Sequence, residues 1–241
     1  MLEPRENPLS YIAYERALGY VYIQEGGSMI PPLFLEPKPE DYVLDMCAAP
    51  GSKTTQIAQL MKNKGAIIAN DVSLKRISSL GFNLQLCGVI NTAVTMFDGR
   101  KLPSIIKDHF DKVLVDAPCS SSGHFLSKFP SNFTEERVKS LHVLQRGLLI
   151  AGFKMLKPGG ILVYSTCSIH PFENEAVVNY LLSKEGKARV EYFEIKGIRF
   201  HPGLTEYKEK TFHPDLKYCM RIYPHDNYTD AFFIARIRKE R

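Results

Sequence analysis

Two cysteines in this 241-residue chain stand where a thiol could do covalent chemistry. Cys119 closes the run Asp116-Ala117-Pro118-Cys119-Ser120, and Cys167 sits in Ser165-Thr166-Cys167-Ser168; each follows an apolar stretch of strand length. A thiolate just beyond a buried strand is a candidate nucleophile, and a second thiol nearby is a candidate proton acceptor. Cysteine is also among the residues most often buried inertly, so the pair carries more than either member alone. Spacing does not say which of the two would attack.

Three carboxylates repeat the same placement: Asp45, Asp71 and Asp98 each close a predicted strand, one after another along the chain. In open α/β sheets ligands bind beyond the carboxyl ends of the strands, and a carboxylate after the second strand can accept the hydroxyls of a ribose. Asp98 offers an acceptor for an adenine amino group. After Asp45 come Cys47-Ala48-Ala49-Pro50-Gly51-Ser52-Lys53, small residues that let the backbone approach a bound molecule. No Gly-x-Gly-x-x-Gly is present, and Gly51-Ser52-Lys53-Thr54 lacks the first glycine of a phosphate-binding loop. A ribose and an adenine without phosphates describe S-adenosylmethionine better than a nucleotide.

The elements that must position these groups alternate. Strands are predicted at 42–46, 66–70, 92–96, 112–116 and 161–165, with helices at 52–62, 73–87 and 134–156 between them. Such alternation implies a parallel sheet with right-handed crossovers. Thr134 is the expected N-cap of the long helix, with Glu135 and Glu136 in its first turn, and Lys157-Pro158-Gly159-Gly160 is expected to stop it. A helix opened by Pro171 runs to 183, and strands follow at 189–194 and 231–237. A short helix at 9–18 and a strand at 20–24 precede the sheet. Residues 1–39 are read as a lead-in packed on the core, 40–241 as the catalytic domain, and 197–230 as an irregular insertion that could face a substrate.

Composition narrows the classes. The net charge of +5, from 31 basic and 26 acidic residues, favours an anionic partner only mildly. No run reaches the roughly 20 apolar residues that span a bilayer, so no membrane partner and a soluble, cytoplasmic protein are expected. The five cysteines are odd in number and contain no Cys-x-x-Cys pair, which argues against a disulfide framework and a structural zinc site, so no metal is expected.

The blocks 45–54, 116–120 and 165–168 resemble the signatures of the Sun-type RNA (cytosine-5)-methyltransferases. The likeness extends from Gln24 and Ser28-Met29-Ile30-Pro31-Pro32 to Arg221-Ile222-Tyr223-Pro224 and Phe232-Phe233-Ile234-Ala235, nearly the whole chain. Ser-Met-Ile-Pro-Pro and Ala-Asn-Asp-Val-Ser are closest to the tRNA-modifying members. The resemblance implies a class I methyltransferase fold: a Rossmann-like, mostly parallel sheet with helices on both faces and an antiparallel final strand. It implies S-adenosylmethionine as cofactor, held by Cys47 to Lys53, Asp71, Arg76, Asp98 and Asp116.

Carbon 5 of cytosine is a poor nucleophile, so a thiolate must first add to carbon 6. By match to the family Cys167 is that nucleophile, Cys119 serves the release step, and Asp116 assists at ring nitrogen 3, either protonated or sharing a proton with the base. The rival for the attack is Cys119, because DNA-modifying relatives use a Pro-Cys thiol. Lys53 would hold the cytosine side or lower a thiol pKa. The substrate is RNA with its target base out of the stack, tRNA before rRNA; Arg100, Lys101, Lys128, Arg137, Lys139 and Arg221 are candidate phosphate contacts.

Two departures stand out. Ala231 replaces a usual family glycine, which matters only if the backbone there needs a positive φ. The lead-in is shorter than in relatives with a separate RNA-binding module, so target choice is expected to rest on the catalytic domain or on an accessory RNA-binding partner. An exocyclic-amine methyltransferase and a non-catalytic RNA-binding factor with a retained cofactor pocket are the competing readings.

Overall fold

In the computed structural model residues 12–124 and 133–241 are described. Their centre is a mixed sheet in the order β3-β2-β1-β4-β5-β11-β10-β7. The parallel half comprises β1 (Tyr42–Asp45), β2 (Ala66–Asn70), β3 (Thr92–Thr95), β4 (Phe110–Asp116) and β5 (Leu156–Thr166). The short β6 (Ala188–Val190) pairs with the end of β11 (Phe232–Lys239), which runs antiparallel to β5 as expected. The strand order reverses between β1 and β4, the point at which such sheets open a ligand crevice.

Alternating side chains of the central strands divide between two apolar layers. Leu44, Val113, Val115, Leu162 and Tyr164 face the helices α5 (Glu135–Met155) and α6 (Glu175–Lys184), with Leu149, Phe153, Val177 and Leu181 packed against them. Val43, Leu114, Ile161 and Val163 face the other way, toward α2 (Ile30–Leu35) and α3 (Ser52–Leu60), meeting Phe34 and Ile57. Burial on both faces is why these strands read as continuous apolar runs. The α4 helix (Leu74–Leu86) is covered on one side only, where Leu80 and Leu84 pack on Ala48, Ala49 and Ala69.

Thr134 caps α5 as expected, its hydroxyl accepting from the Arg137 amide. The Lys157-Pro158-Gly159-Gly160 segment does stop that helix, but it lies within β5 as an irregularity in its pairing with β4. Pro171 does not open α6; a turn intervenes, because Asn174 is occupied in binding Thr166 and the Ser168 carbonyl, and the helix starts at Glu175. The strand expected at 189–194 is confined to β6, Ala188 to Val190 on β11, and its pairing ends with the Glu191 amide on the Arg236 carbonyl at 2.9 Å. No strand forms at 20–24. The short α1 helix (Ala13–Ala17) falls inside the predicted 9–18, of which 9–11 lie outside the described residues. Ile30-Pro31-Pro32, read as part of an irregular lead-in, starts α2, where proline suits the first turn.

Residues 197–230 are not irregular. They supply β7 (His201–Pro202), the hairpin of β8 (Glu206–Tyr207) and β9 (Lys210–Thr211), the strand β10 (Met220–Ile222) between β11 and β7, and the short α7 helix (Pro224–Asn227). Arg221, expected to meet a phosphate, instead points inward. It is 4% exposed and forks onto the buried Glu175 carboxylate, both bonds 2.6 Å long. Arg221→Ala is therefore expected to destabilise the fold by about 3–5 kcal/mol, because a charge is left buried alone, while Arg221→Met with Glu175→Leu recovers much of the loss. Urea titration of the three proteins checks this.

Candidate active site

Parallel pairing of β4 with β5 places Asp116 opposite Ser165, so the chain segments leaving the two strands start side by side. Three residues past Asp116 and two past Ser165 the thiols meet, Cys119 Sγ and Cys167 Sγ lying 3.2 Å apart. Both are free and half-buried. The segments are tied by Glu173, which is wholly buried and accepts from the Ser120 amide (2.8 Å), the Ser120 and Ser168 hydroxyls and Gln145 Nε2 (3.1 Å). Asn174 adds bonds to Thr166 Oγ1 (2.6 Å) and the Ser168 carbonyl (2.8 Å). The pair is thus tied into a buried polar network that gives it a fixed geometry, with Gln145 Oε1 left without a partner at its edge.

The two thiols are not alike. Cys167 is lowered to about 5, first by the hydrogen bond from Cys119 and also by His124 and Ser121, against burial and the Asp116 charge. Cys119 is driven well above the usual thiol range by that same bond and by burial. The thiol–thiol bond, with His124 beside the second sulfur, favours Cys167 as the thiolate of the pair and Cys119 as its donor. Spacing alone left the two roles open; the surroundings separate them.

Beside the thiols, Lys53 Nζ is 2.8 Å from Asp116 Oδ2 and donates to Ser28 Oγ at 2.6 Å. Lys53 is 7% exposed, so it is not a solvated helix-start lysine, and it approaches the Phe232 ring at 5.3 Å. Asp116 Oδ1 accepts from Ser165 Oγ at 2.7 Å. The Lys53 ammonium is engaged by Asp116 and Ser28, and His124 is the basic group that acts on the Cys167 sulfur. His124 and Glu173 were both missed in the sequence, since neither sits in a recognisable block. The small residues Ser121-Ser122-Gly123 ahead of His124, a tight-turn composition, were the available signal.

A cavity of about 260 Å³ opens at the carboxyl ends of β1 to β4, lined by Cys47, Asp71, Arg76, Asp98 and Pro118 together with Val72, Phe97, Leu144 and Leu148. Asp71 is 2% exposed and oriented by the amides of Ala49 (3.3 Å) and Ser73 (3.0 Å), with Arg76 Nη1 at 3.3 Å. A buried, preoriented carboxylate beside apolar walls fits a ribose and an adenine ring, so the donor set suits S-adenosylmethionine. Asp98 is engaged by the Arg100 guanidinium at 2.7 Å, which holds its carboxyl below the usual range.

Ala48 to Lys53 do not line this cavity. Their loop is held from behind: Asn83 donates to the Pro50 carbonyl at 2.8 Å, Arg76 to the Ala49 carbonyl, and Gly51 takes a φ of 108° against Leu80. Asp45 likewise departs from its expected place facing a ligand; it is 1% exposed, accepts from Thr54 Oγ1 at 2.8 Å, and is raised to about 7 by burial. A larger cleft of about 440 Å³ at the other end of the sheet holds no site residue, and its charges pair among themselves, as Lys157 does with Asp111. Arg137 and Lys139 are exposed at the start of α5 and Lys101 is exposed after β3, while Lys128 lies outside the described residues. Ala231 has no positive φ; its amide donates to the Gly123 carbonyl at 2.9 Å, so the departure from glycine costs nothing in the backbone.

The family model described as 16S rRNA methyltransferase RsmB/F matches residues 32–238. The tRNA (cytosine(49)-C(5))-methyltransferase of Pyrococcus abyssi is 44% identical over 229 residues, covering 94% of this chain and 73% of its own. The Homo sapiens 28S rRNA (cytosine(4447)-C(5))-methyltransferase is 42% identical over 233 residues, 93% of this chain but only 28% of its own length. Among solved structures, a methyltransferase homolog from Pyrococcus horikoshii aligns with a TM-score of 0.85 at 39% identity, over 97% of this chain and 73% of that one. NSun6 from Pyrococcus horikoshii with SFG aligns with a TM-score of 0.83 at 36% identity, over 100% and 57%.

The asymmetry of the thiols has a direct chemical readout. Iodoacetamide at pH 7, with products resolved by peptide mass spectrometry, is expected to label Cys167 well ahead of Cys119 and Cys219, whose thiols burial and their neighbours hold protonated. Labelling of Cys167 should fall only as the pH drops through about 5, where its thiolate is protonated.

Proposed function

The chain belongs to the RsmB/F family of Sun-type RNA (cytosine-5)-methyltransferases, and we propose that it methylates carbon 5 of a cytidine in tRNA through a covalent adduct with Cys167. The observation that carries this reading is the pair of sulfurs 3.2 Å apart, one thiolate and one thiol, next to a cavity suited to a nucleoside. Support for S-adenosylmethionine comes from the family and from the neighbour with SFG, an analogue of it. Asp71 would hold its ribose, Val72, Phe97, Leu144 and Leu148 its adenine, and Asp98 the adenine amino group once shared with Arg100. When bound, that cofactor supplies an electrophilic methyl group.

The chain's own residues do the rest. The Cys167 thiolate adds to carbon 6 of the flipped base, forming a carbon–sulfur bond and pushing the ring electrons toward carbon 5 and nitrogen 3. Asp116, paired with the Lys53 ammonium, stands where charge at nitrogen 3 needs a partner. With Lys53 alongside, Asp116 offers nitrogen 3 a hydrogen-bonding partner that would share a proton with the base and take it back on release. Once Cys167 is committed to the base, the first cause of the raised Cys119 pKa is gone. Cys119 can then release its proton to water and accept the one on methylated carbon 5, after which sulfur leaves with its bonding pair.

For the RNA, the tRNA-modifying relative of Pyrococcus abyssi supports tRNA, and it is covered over 73% of its length. The rRNA relatives keep rRNA as the second reading. Exposed Arg137, Lys139 and Lys101 are candidate backbone contacts, in a cytoplasmic enzyme that an accessory RNA-binding partner could direct.

Incubation of the protein with labelled S-adenosylmethionine and either tRNA or rRNA transcripts, followed by mapping of 5-methylcytosine, tests the activity and the substrate together. Methylation of tRNA is expected; transfer to rRNA alone would replace the substrate, and product at an exocyclic amine would overturn the reaction. Cys119→Ala should accumulate a covalent protein–RNA species on denaturing gels and Cys167→Ala should form none. Asp71→Ala should weaken cofactor binding about tenfold or more by calorimetry, the loss of one or two hydrogen bonds to an ionised group.

A further inference from the structure

His124 ends the turn that leaves Cys119, and its backbone is stitched to the nucleophile. Gly123 donates its amide to the Cys167 carbonyl at 2.9 Å and accepts from the Ala231 amide at 2.9 Å, while the His124 amide bonds the Ser121 carbonyl at 3.2 Å. A Cβ on Gly123 would come within 2.6 Å of the Ala231 oxygen and 2.8 Å of the Cys167 oxygen, so glycine is required for this approach. The imidazole reaches from the turn to two partners. Its Nδ1 lies 2.7 Å from Asp230 Oδ2, and the Cys167 sulfur is the neighbour that most favours the charged form of the ring.

Asp230 is itself fixed. It is 3% exposed, and its amide donates to Glu25 Oε1 at 2.9 Å. The same glutamate holds Thr229 Oγ1 and, through its other oxygen, the Ser28 amide at 3.0 Å. Cysteine, histidine and aspartate therefore stand in sequence at the mouth of β11, supported from the amino-terminal segment.

We infer that His124 is a catalytic residue of this site: as an imidazolium anchored by Asp230, it holds Cys167 as the attacking thiolate. The inference rests on the reading of Cys167 as nucleophile. The ionisable groups facing the sulfur are Cys119 and Asp116 from the end of β4, His124 from the turn, and Asp230 behind it, with Glu25 beyond. Asp116 opposes a thiolate, and the Lys53 ammonium beside it is taken up by Asp116 and Ser28, which leaves His124 to bring a positive charge to the sulfur. His124 is raised to about 9, first by its bond to Cys167 and then by Asp230. Cys167 is moved the opposite way, so the two shifts together favour the ion pair at neutral pH.

The proton count is consistent with the reaction. The thiolate attacks with its own electron pair and takes no proton from His124; on release, sulfur leaves with the bonding pair and faces the imidazolium again. Asp230 acts as a positioning residue, setting the ring's orientation and favouring its charged form.

The test is the pH profile of Cys167 alkylation in the full-length protein, read by peptide mass spectrometry and run beside 5-methylcytosine formation. His124→Gln, which keeps a donor without the charge, is expected to move the alkylation midpoint upward by about 1–3 units. Asp230→Asn should move it the same way by less, and His124→Ala provides a second charge-free variant if the glutamine does not fold. A folded His124→Gln whose midpoint stays where the wild type has it would overturn the inference. An upward shift in a protein that makes no 5-methylcytosine would uphold the ion pair and count against the proposed activity alone.

Discussion

The contact between Cys119 and Cys167 is the constraint on which the rest of the structure depends. Two sulfurs at 3.2 Å, with one ionised and one protonated, require two chain segments held in fixed register and shielded from bulk water. The parallel register of β4 and β5 supplies the first condition, and the wholly buried Glu173, which gathers four donors from both segments and α5, supplies the second. Breaking a bond of that network would cost the desolvation of a buried polar group, which holds the geometry in place.

From that contact the site extends in two directions. Toward β1, the Lys53–Asp116 pair lies between the thiols and the first loop, and Ser28 reaches across to it from the segment before α2. Toward β11, His124 and Asp230 continue the line to Glu25. The amino-terminal segment thus touches the chemistry at both ends, through Ser28 and through Glu25. That gives a physical role to residues that look like a covering strip, because removing them would release Lys53 and Asp230 together.

Much of this was legible in the sequence, for identifiable reasons. The strands of the parallel half are buried on both faces, so Val43, Leu44 and Val113 to Val115 announce themselves as apolar runs, and Thr134 with two following glutamates marks a helix start that chemistry alone explains. Cys119, Cys167, Asp116 and Lys53 were all named and all converge. What was not legible depends on partners distant in sequence. Arg221 looked like a surface cation, and only folding reveals Glu175 beneath it. The strands β7 and β10 are two and three residues long and carry no period of their own. His124 becomes meaningful only when a residue 106 positions later and a sulfur from another strand reach its ring. The loop at 47–52 shows the same limit in reverse: its composition pointed at a ligand, whereas its backbone is held by α4 and only its first residue, Cys47, lines the cavity.

The account's central claim is that the thiolate of Cys167 attacks carbon 6 while Cys119 serves release. RNA carrying 5-fluorocytidine measures this directly in the unmutated protein, because fluorine at carbon 5 cannot leave as a proton and the adduct persists after methyl transfer. Digestion and mass spectrometry of the trapped complex should place the methylated base on Cys167. A base attached to Cys119 would contradict the assignment of the two thiols, and recovery of methylated RNA with no adduct would contradict the covalent route.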